Sequence, residues 1–584
     1  MFEPTAAPRA FGLPPGVDFP AELVTGLRDR MAGQPPEAMA RVTLFLNTGK
    51  MRDRVRAAFQ AAGPGFLPRL KLLTDIGDDP AFDALAAVPR IRRRLEFSVP
   101  VARFLAAEPQ FAPGTAVFDL ADRLAGLAEE MQDEGVTPEA FAQPGLAEDH
   151  AAHWERSLAF LRIIAPWFDS DVAPDAVTRL RRAAEALVAR WQGQRPADPV
   201  LIAGSTGSRG TTQLLMRAVA SLPQGALILP GHDFDMPDFG WNSLISGDMP
   251  NEDHPQFRFA RLMTALGIGP GQVGRWTDAP PPDPARNRLV SLALRPAPVT
   301  DQWMSEGASF GPPGPATDGL TLIEAPGPRA EALAIALVLR KAAEDGRRAA
   351  LITPDQSLVR RVTAALDRWA LIPDNGAGAP LHLSAPGRFL RQIAGLFGRP
   401  LTIDALLALL KHPVAGTGAR ERGPHLRHTR DLELRLRRHG PPFPDAAAII
   451  GWATAPGDAA RTAWTDWLAG VLARLPDGAA RLASDWVDLL LAWANDLAAG
   501  PGGQAADSAL WQEEAVEAAA RAMALLRAEA PFGGPLDAPA FATLLARLLE
   551  GERVRAPHGA HPLISVQARA RRASCKPISS SWVA

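Results

Sequence analysis

Gly49 and Lys50 stand in LFLNTGKM, where a short apolar run gives way to a basic amphipathic stretch. A lysine behind a glycine at a strand-to-helix turn is how nucleotide-binding chains cradle phosphate. Backbone amides and the ammonium hold the phosphates, and a Ser/Thr hydroxyl holds Mg²⁺. The pattern G-x-x-x-x-G-K-[ST] is not met, because Leu44 stands at the first glycine and Met51 at the hydroxyl. A buried leucine cannot make that turn, and a thioether is a poor ligand for a hard cation. Asn47, Thr48, Gly49 and Lys50 therefore read as an ordinary turn or as an unorthodox nucleotide site. A second glycine-bearing stretch, Gly204–Thr212 (GSTGSRGTT), also follows an apolar run. Exposed amides over Thr206, Gly207, Ser208 and Arg209 would suit an anion, although Arg209 stands where a phosphate loop needs its second glycine. The bland alternative is a structural turn.

Arginines supply the other candidates. Gln356, Arg360 and Arg361 open one helical stretch, Arg388 and Arg391 lie in another, and Arg420–Gly440 is the densest basic segment, with Arg427 and Arg430 at its centre. These could contact nucleic-acid phosphates or be solvated residues on amphipathic helices. His425, His428 and His439 lack carboxylates at ligand spacing, so no metal site is expected. Trp369 and the other tryptophans read as core rather than base-stacking platforms. Cys575 is the only cysteine, which excludes a disulfide framework or a cysteine cage made by this chain alone.

The elements that must position these residues alternate in kind. The 584 residues exceed one core and suggest three or four domains. Net charge is −2, so no overall field advertises a polyanion partner. No run of about twenty apolar residues occurs and the N-terminus carries no secretory pattern, so a cytoplasmic protein without a membrane span is expected. Residues 1–85 with 195–277 read as one α/β unit, with strands at ARVTLFLNT, FLPRLKLL, PVLIAGST and GALILPGHD. The helical stretch 86–194 interrupts it. Residues 278–318, rich in Pro and Gly, read as a linker. A second α/β unit spans 319–400, from a strand GLTLIEAPG through RAALITPD, and helices fill 401–560. Right-handed β-α-β crossovers make the sheets parallel.

Two α/β cores, each interrupted by helices, resemble the plan of superfamily 1 DNA helicases, with two RecA-like parallel sheets and two helical insertion domains. Such motors end the strand after the first insertion in an Asp-Glu pair, as in VDEFQDTNPLQ. IAGSTGSRGTTQ aligns there without a gap, placing Gly204 and Ser205 at the two carboxylate positions. The resemblance thus implies a motor plan without metal ligand or general base. Across GLPPGVDFPAELVTGL, VLIAGSTGSRGTTQLLMRAVASLPQGALILPG, APGPRAEALAIALVLR, LVRRVTAALDRW, LLALLKHPVAGTG and HLRHTRDLELRLRRHGPPFPD, the chain resembles the AddB subunits of bacterial AddAB helicase–nucleases in their alphaproteobacterial form. That resemblance reaches to about Ser565. It implies processing of double-strand DNA ends for recombinational repair as a heterodimer with an AddA-type subunit. The family's iron–sulfur cluster and nuclease Mg²⁺ belong to a C-terminal part whose cysteines and carboxylates are not found here, so no cofactor is expected in this chain.

The last residues, VQARARRASCKPISSSWVA, lack the apolar run of a strand. One natural set of GC-rich codons for Cys575–Ala584, read from the last base of each codon, encodes Gln-Ala-Asp-Leu-Val-Ile-Leu-Gly-Gly-Leu, the kind of buried strand the family has there. The expectation is a frameshift after about Ser565 and a disordered tail over 566–584. The functional expectation is a catalytically silent, DNA-binding helicase-like scaffold. The alternatives are an ATP-dependent helicase using Asn47–Lys50, or a non-functional fragment.

Overall fold

A computed structural model describes residues 1–584 except 4, 6, 80–85, 113–115, 143–157, 170–171, 248–249, 309–313, 376–377, 454–458, 512–513, 555–559, 568–581 and 584. The first unit is a six-stranded sheet built from β1 (Ala10–Leu13), β2 (Thr43–Leu46), β3 (Arg69–Leu72), β4 (Val200–Ala203), β5 (Gly225–Pro230) and β6 (Gly274–Arg275). Its order is β3-β2-β4-β5-β1-β6, and every pairing is parallel. Helices α1 (Phe19–Met31) and α2 (Gly49–Ala61) cover one face. The apolar runs of the central strands reflect burial on both sides. Leu44 and Leu46 face α1 and α2, while Phe45 faces the opposite layer.

Between β3 and β4 the chain leaves the sheet through α3 (Arg90–Ala107), α4 (Val117–Glu134) and α5 (Ala176–Gly193). It returns through α6 (Gly210–Ala220) and α7 (Phe257–Leu266), which with α5 cover the second face. The interrupted sheet expected from sequence is thus present. Strand β1 was not expected; its four residues pair between β5 and β6.

Where described, the stretch 278–318 carries helices rather than a bare linker. It carries α8 (Pro284–Ala293) and two shorter helices, Gln302–Gly307 and Gly314–Thr317. Asn287 Nδ2 donates to the Pro15 carbonyl at 2.9 Å, and the buried Arg295 donates to Gln302 Oε1 at 2.8 Å. Pro284 and Pro298 stand at helix starts, where a missing N–H costs nothing.

The second unit is smaller. After α9 (Pro328–Glu344) come β7 (Ala349–Ile352), α10 (Gln356–Asp367), β8 (Pro373–Asn375) and the two-residue β9 (Ala379–Pro380). A helical excursion follows with α11 (Ala385–Ala394), α12 (Arg422–His439), α13 (Ala483–Ala499), α14 (Glu514–Glu529) and α15 (Ala538–Gly551). Strand β10 (Arg553–Val554) then pairs antiparallel with β9, and β11 (His561–Gln567) inserts parallel between β7 and β8.

Four expectations change here. GLTLIEAPG forms no strand, and Leu322 is 85% exposed. The helical layer begins before residue 401, because Leu381, Phe389, Leu390 and Ile393 belong to its core. That core also takes in Ile91, Leu95 and Phe118, so the two insertions pack as one body, tied by Arg92–Glu529 at 2.5 Å and Arg547–Asp119 at 2.9 Å. The tail is structured where it can be described: Val566 is buried beside Leu351, and β12 (Trp582–Val583) pairs with β7. The rest of 566–584, including Cys575, lies outside the described residues. Among the described residues no helix is long and apolar enough to cross a membrane.

Candidate nucleotide crevices and arginine surfaces

In a parallel sheet, ligands enter at the carboxyl ends of strands where neighbouring connections leave over opposite faces. Chain order and helix layers give the first sheet two such places. One lies between β2 and β4, the other between β5 and β1.

The β2/β4 crevice brings together the two turns singled out from sequence. Asn47 Nδ2 donates to the Gly204 carbonyl at 2.5 Å and closes the gap between the strand ends. Thr48 caps α2, its hydroxyl accepting from the Met51 amide at 3.2 Å, so that oxygen is already engaged. Met51 is wholly buried, with its methyl 3.3 Å from where a Cβ on Gly204 would sit. Gly204 has φ +77°, a left-handed conformation that disfavours any side chain, carboxylate-bearing ones included. Lys50 turns away from the turn toward the second sheet, 3.8 Å from Asp374 in β8. Gly49 presents no cradle, because the loop ahead of it is strand rather than a glycine turn.

Ser205 is buried, while Thr206, Ser208 and Arg209 are exposed. The Gly207 amide donates to Ser205 Oγ at 3.3 Å. The Gly210 amide at the start of α6, the donor an anion would need, is taken by the Glu134 carboxylate at 3.0 Å. The end of α4 packs so closely that a Cβ on Gly210 would lie 2.6 Å from Glu134 Cα. Glu134, Arg209, Arg258 and Arg261 line a small, partly open pocket beside this turn. The Gly210 amide next to the expected anion position is therefore occupied by the chain's own carboxylate.

At the β5/β1 crevice, β1 leads into Leu13-Pro14-Pro15-Gly16-Val17-Asp18. Two consecutive prolines remove amide donors, and no lysine or hydroxyl follows. The segment after β6 roofs the turn: Pro282 lies 3.3 Å from a Cβ built on Gly16, and Asn287 holds Pro15. Beneath it, His232 is 1% exposed, with its amide donating to the Leu13 carbonyl at 2.9 Å and its ring stacked on Trp241 at 4.8 Å. Burial, with the nearby Arg275 guanidinium, lowers its pKa to about 3. Sequence reading missed His232, because a histidine after a strand carries no spacing signal.

The arginine candidates separate into surfaces. Gln356, Arg360 and Arg361 are exposed on α10, and Arg388 and Arg391 on α11. Pairing of β9 with β10 brings Arg553 opposite Pro380, next to His382. The His382 pKa is lowered by burial first and then by Arg391, with Glu550 opposing and Arg553 and Arg360 adding, so these cations converge there alongside one carboxylate. His412 packs on Phe389 at 4.9 Å, and its pKa falls to about 4 through burial and the charges of Arg388 and Arg422. His382 and Arg553 had no sequence signal, since the β9–β10 pairing that brings them together joins residues far apart in the chain; Arg422 lies at the start of the basic segment already singled out. Arg361 is not part of this convergence. Arg427 and Arg430 lie apart, exposed on α12. His425 and His428 on the same helix are core residues, with His425 accepting from Trp464 Nε1 at 3.2 Å and contacting the Leu410 carbonyl. His439 is exposed at its end. Trp369 packs against the core of the second sheet. Among the described residues no group of three or more His, Cys, Asp or Glu is placed to hold a metal.

No model of a known protein family matches this chain, and no curated protein matches it.

Proposed function

We propose that the chain is a non-hydrolysing, DNA-binding scaffold of the superfamily 1 helicase plan, the AddB-like half of a helicase–nuclease that processes double-strand DNA ends with an AddA-type subunit in the cytoplasm. The observation that carries this reading is the state of the first sheet. It has the two crevices of a nucleotide-binding parallel sheet, and both are closed by the chain's own groups. Asn47 bridges to Gly204 in one, and Pro282 and Asn287 roof the other. Neither turn carries the glycine, lysine and hydroxyl set that phosphate and Mg²⁺ need, and β4 ends in Gly204 and Ser205 instead of carboxylates. Exposed arginines on α10, α11 and α12 supply what phosphate backbones attract.

An iron–sulfur cluster does not fit this chain, since the clusters are held by several thiolates and Cys575 is the only cysteine. The reading is tested by measuring binding to tailed duplex DNA together with phosphate release from ATP. The expected result is salt-sensitive DNA binding with release no faster than without protein. DNA-stimulated release would instead favour a helicase with an unorthodox site over Asn47–Lys50.

A further inference from the structure

We infer that the outer face of α12, with Arg427, Arg430, Arg438 and Phe443, is a track for single-stranded nucleic acid; this deepens the scaffold reading and rests on it. The helix separates its groups by face. His425, His428, Thr429, Leu432 and Leu436 are buried against the helical core. The outward positions carry Arg427, Arg430, Leu434 and Arg438 at helical spacing, a row roughly 16 Å long at 1.5 Å per residue. These three arginines form no ion pair within 4 Å among the described residues, whereas Arg437 beside them is held by Glu433 at 3.0 Å and Glu433 also binds Lys411. The half-buried Asp431 at the edge of the row leaves it strongly cationic.

Charge complementarity therefore calls for a polyanion. The apolar groups decide which kind. Leu434 is 54% exposed, and Phe443, just past the helix end, is 55% exposed and makes no ring contact among the described residues. A duplex hides its base faces, whereas a single strand offers them for stacking beside its phosphates. An acidic protein surface would use the arginines and leave the phenylalanine without a flat partner.

The test is the affinity of the full chain for a fluorescent oligothymidylate across a salt series. One variant carries Arg427→Glu, Arg430→Glu and Arg438→Glu, and another carries Phe443→Ala. A control carries the same charge change at exposed positions elsewhere, Arg190→Glu, Arg217→Glu and Arg399→Glu. Circular dichroism melts confirm that each variant folds. The inference expects the α12 triple variant to lose at least about tenfold in affinity and to flatten the salt slope by about 2, from three phosphate contacts. Phe443→Ala should lose about fivefold or more with the slope unchanged, and the control should stay near the wild-type value. If the wild-type chain binds DNA but the α12 variant matches the control, the inference is overturned while the scaffold reading stands. If polyglutamate competes as well as the oligonucleotide at equal ionic strength, the face takes acidic protein and the inference is overturned. If the wild-type chain binds no DNA at all, the scaffold reading falls and takes the inference with it.

Discussion

At the scale of single residues, the first sheet is governed by groups that fill places where a ligand would go. His232 is the most deeply buried titratable example, and its folded pKa of about 3 lies below the ordinary 6.5. The unfolded chain therefore binds this proton more readily than the folded one. The stability linked to the neutral ring is fully present above pH 6.5 and is lost as pH falls from there toward 3, by an amount of order several kcal/mol. Urea unfolding measured at pH 7, 5.5 and 4.5 should show the midpoint falling, with His232→Asn removing part of that slope; His412, lowered to about 4, adds to the loss from pH 6.5 downward, and the lowered His425 and His382 act in the same direction. Glu134 is a second such group. Exchanging its carboxylate for an amide in Glu134→Gln weakens the charge at the start of α6, and a loss of about 0.5–1 kcal/mol is expected from chemical denaturation. An unchanged midpoint would mean that the carboxylate does not hold α6.

At the scale of elements, the two helical insertions form one core although the first sheet resumes between them in sequence. Leu95 of α3 sits fully buried in that shared core. Leu95→Ala should cost about 2–5 kcal/mol and lower a single melting transition; two transitions with only one displaced would show that the insertions are independent. The segment GLTLIEAPG makes the opposite case. Leu322→Asp should change stability by no more than about 0.5 kcal/mol, as expected for an exposed site. A much larger loss would place the segment inside a sheet.

Both cases show what the sequence discloses. β2, β4 and β5 were legible because burial on both faces demands continuous apolar runs, and Leu44, Phe45 and Leu46 satisfy it. β1 was not legible, because Phe11, Gly12 and Leu13 run into two prolines and the pairing that makes them a strand lies more than two hundred residues away. GLTLIEAPG has strand chemistry without a strand partner, and local pattern cannot report a missing neighbour. The two turns around Asn47 and Gly204 were legible as candidates from their glycines and flanking helices. Their closure was not, because the Glu134 carboxylate that takes the Gly210 amide arrives from another element.

At the scale of the whole molecule, two parallel sheets, each left and re-entered around helices, combine exposed arginines on the helices of the second unit with a first sheet whose crevices are closed. On the proposed reading, such an arrangement binds DNA without hydrolysing nucleotide. The measurement that tests this most directly is the equilibrium affinity of the full chain for a tailed DNA duplex, by fluorescence anisotropy, with and without ATP and Mg²⁺. The account predicts salt-dependent binding whose affinity is the same in both conditions. An affinity that shifts with ATP, or no binding at low salt, would contradict it.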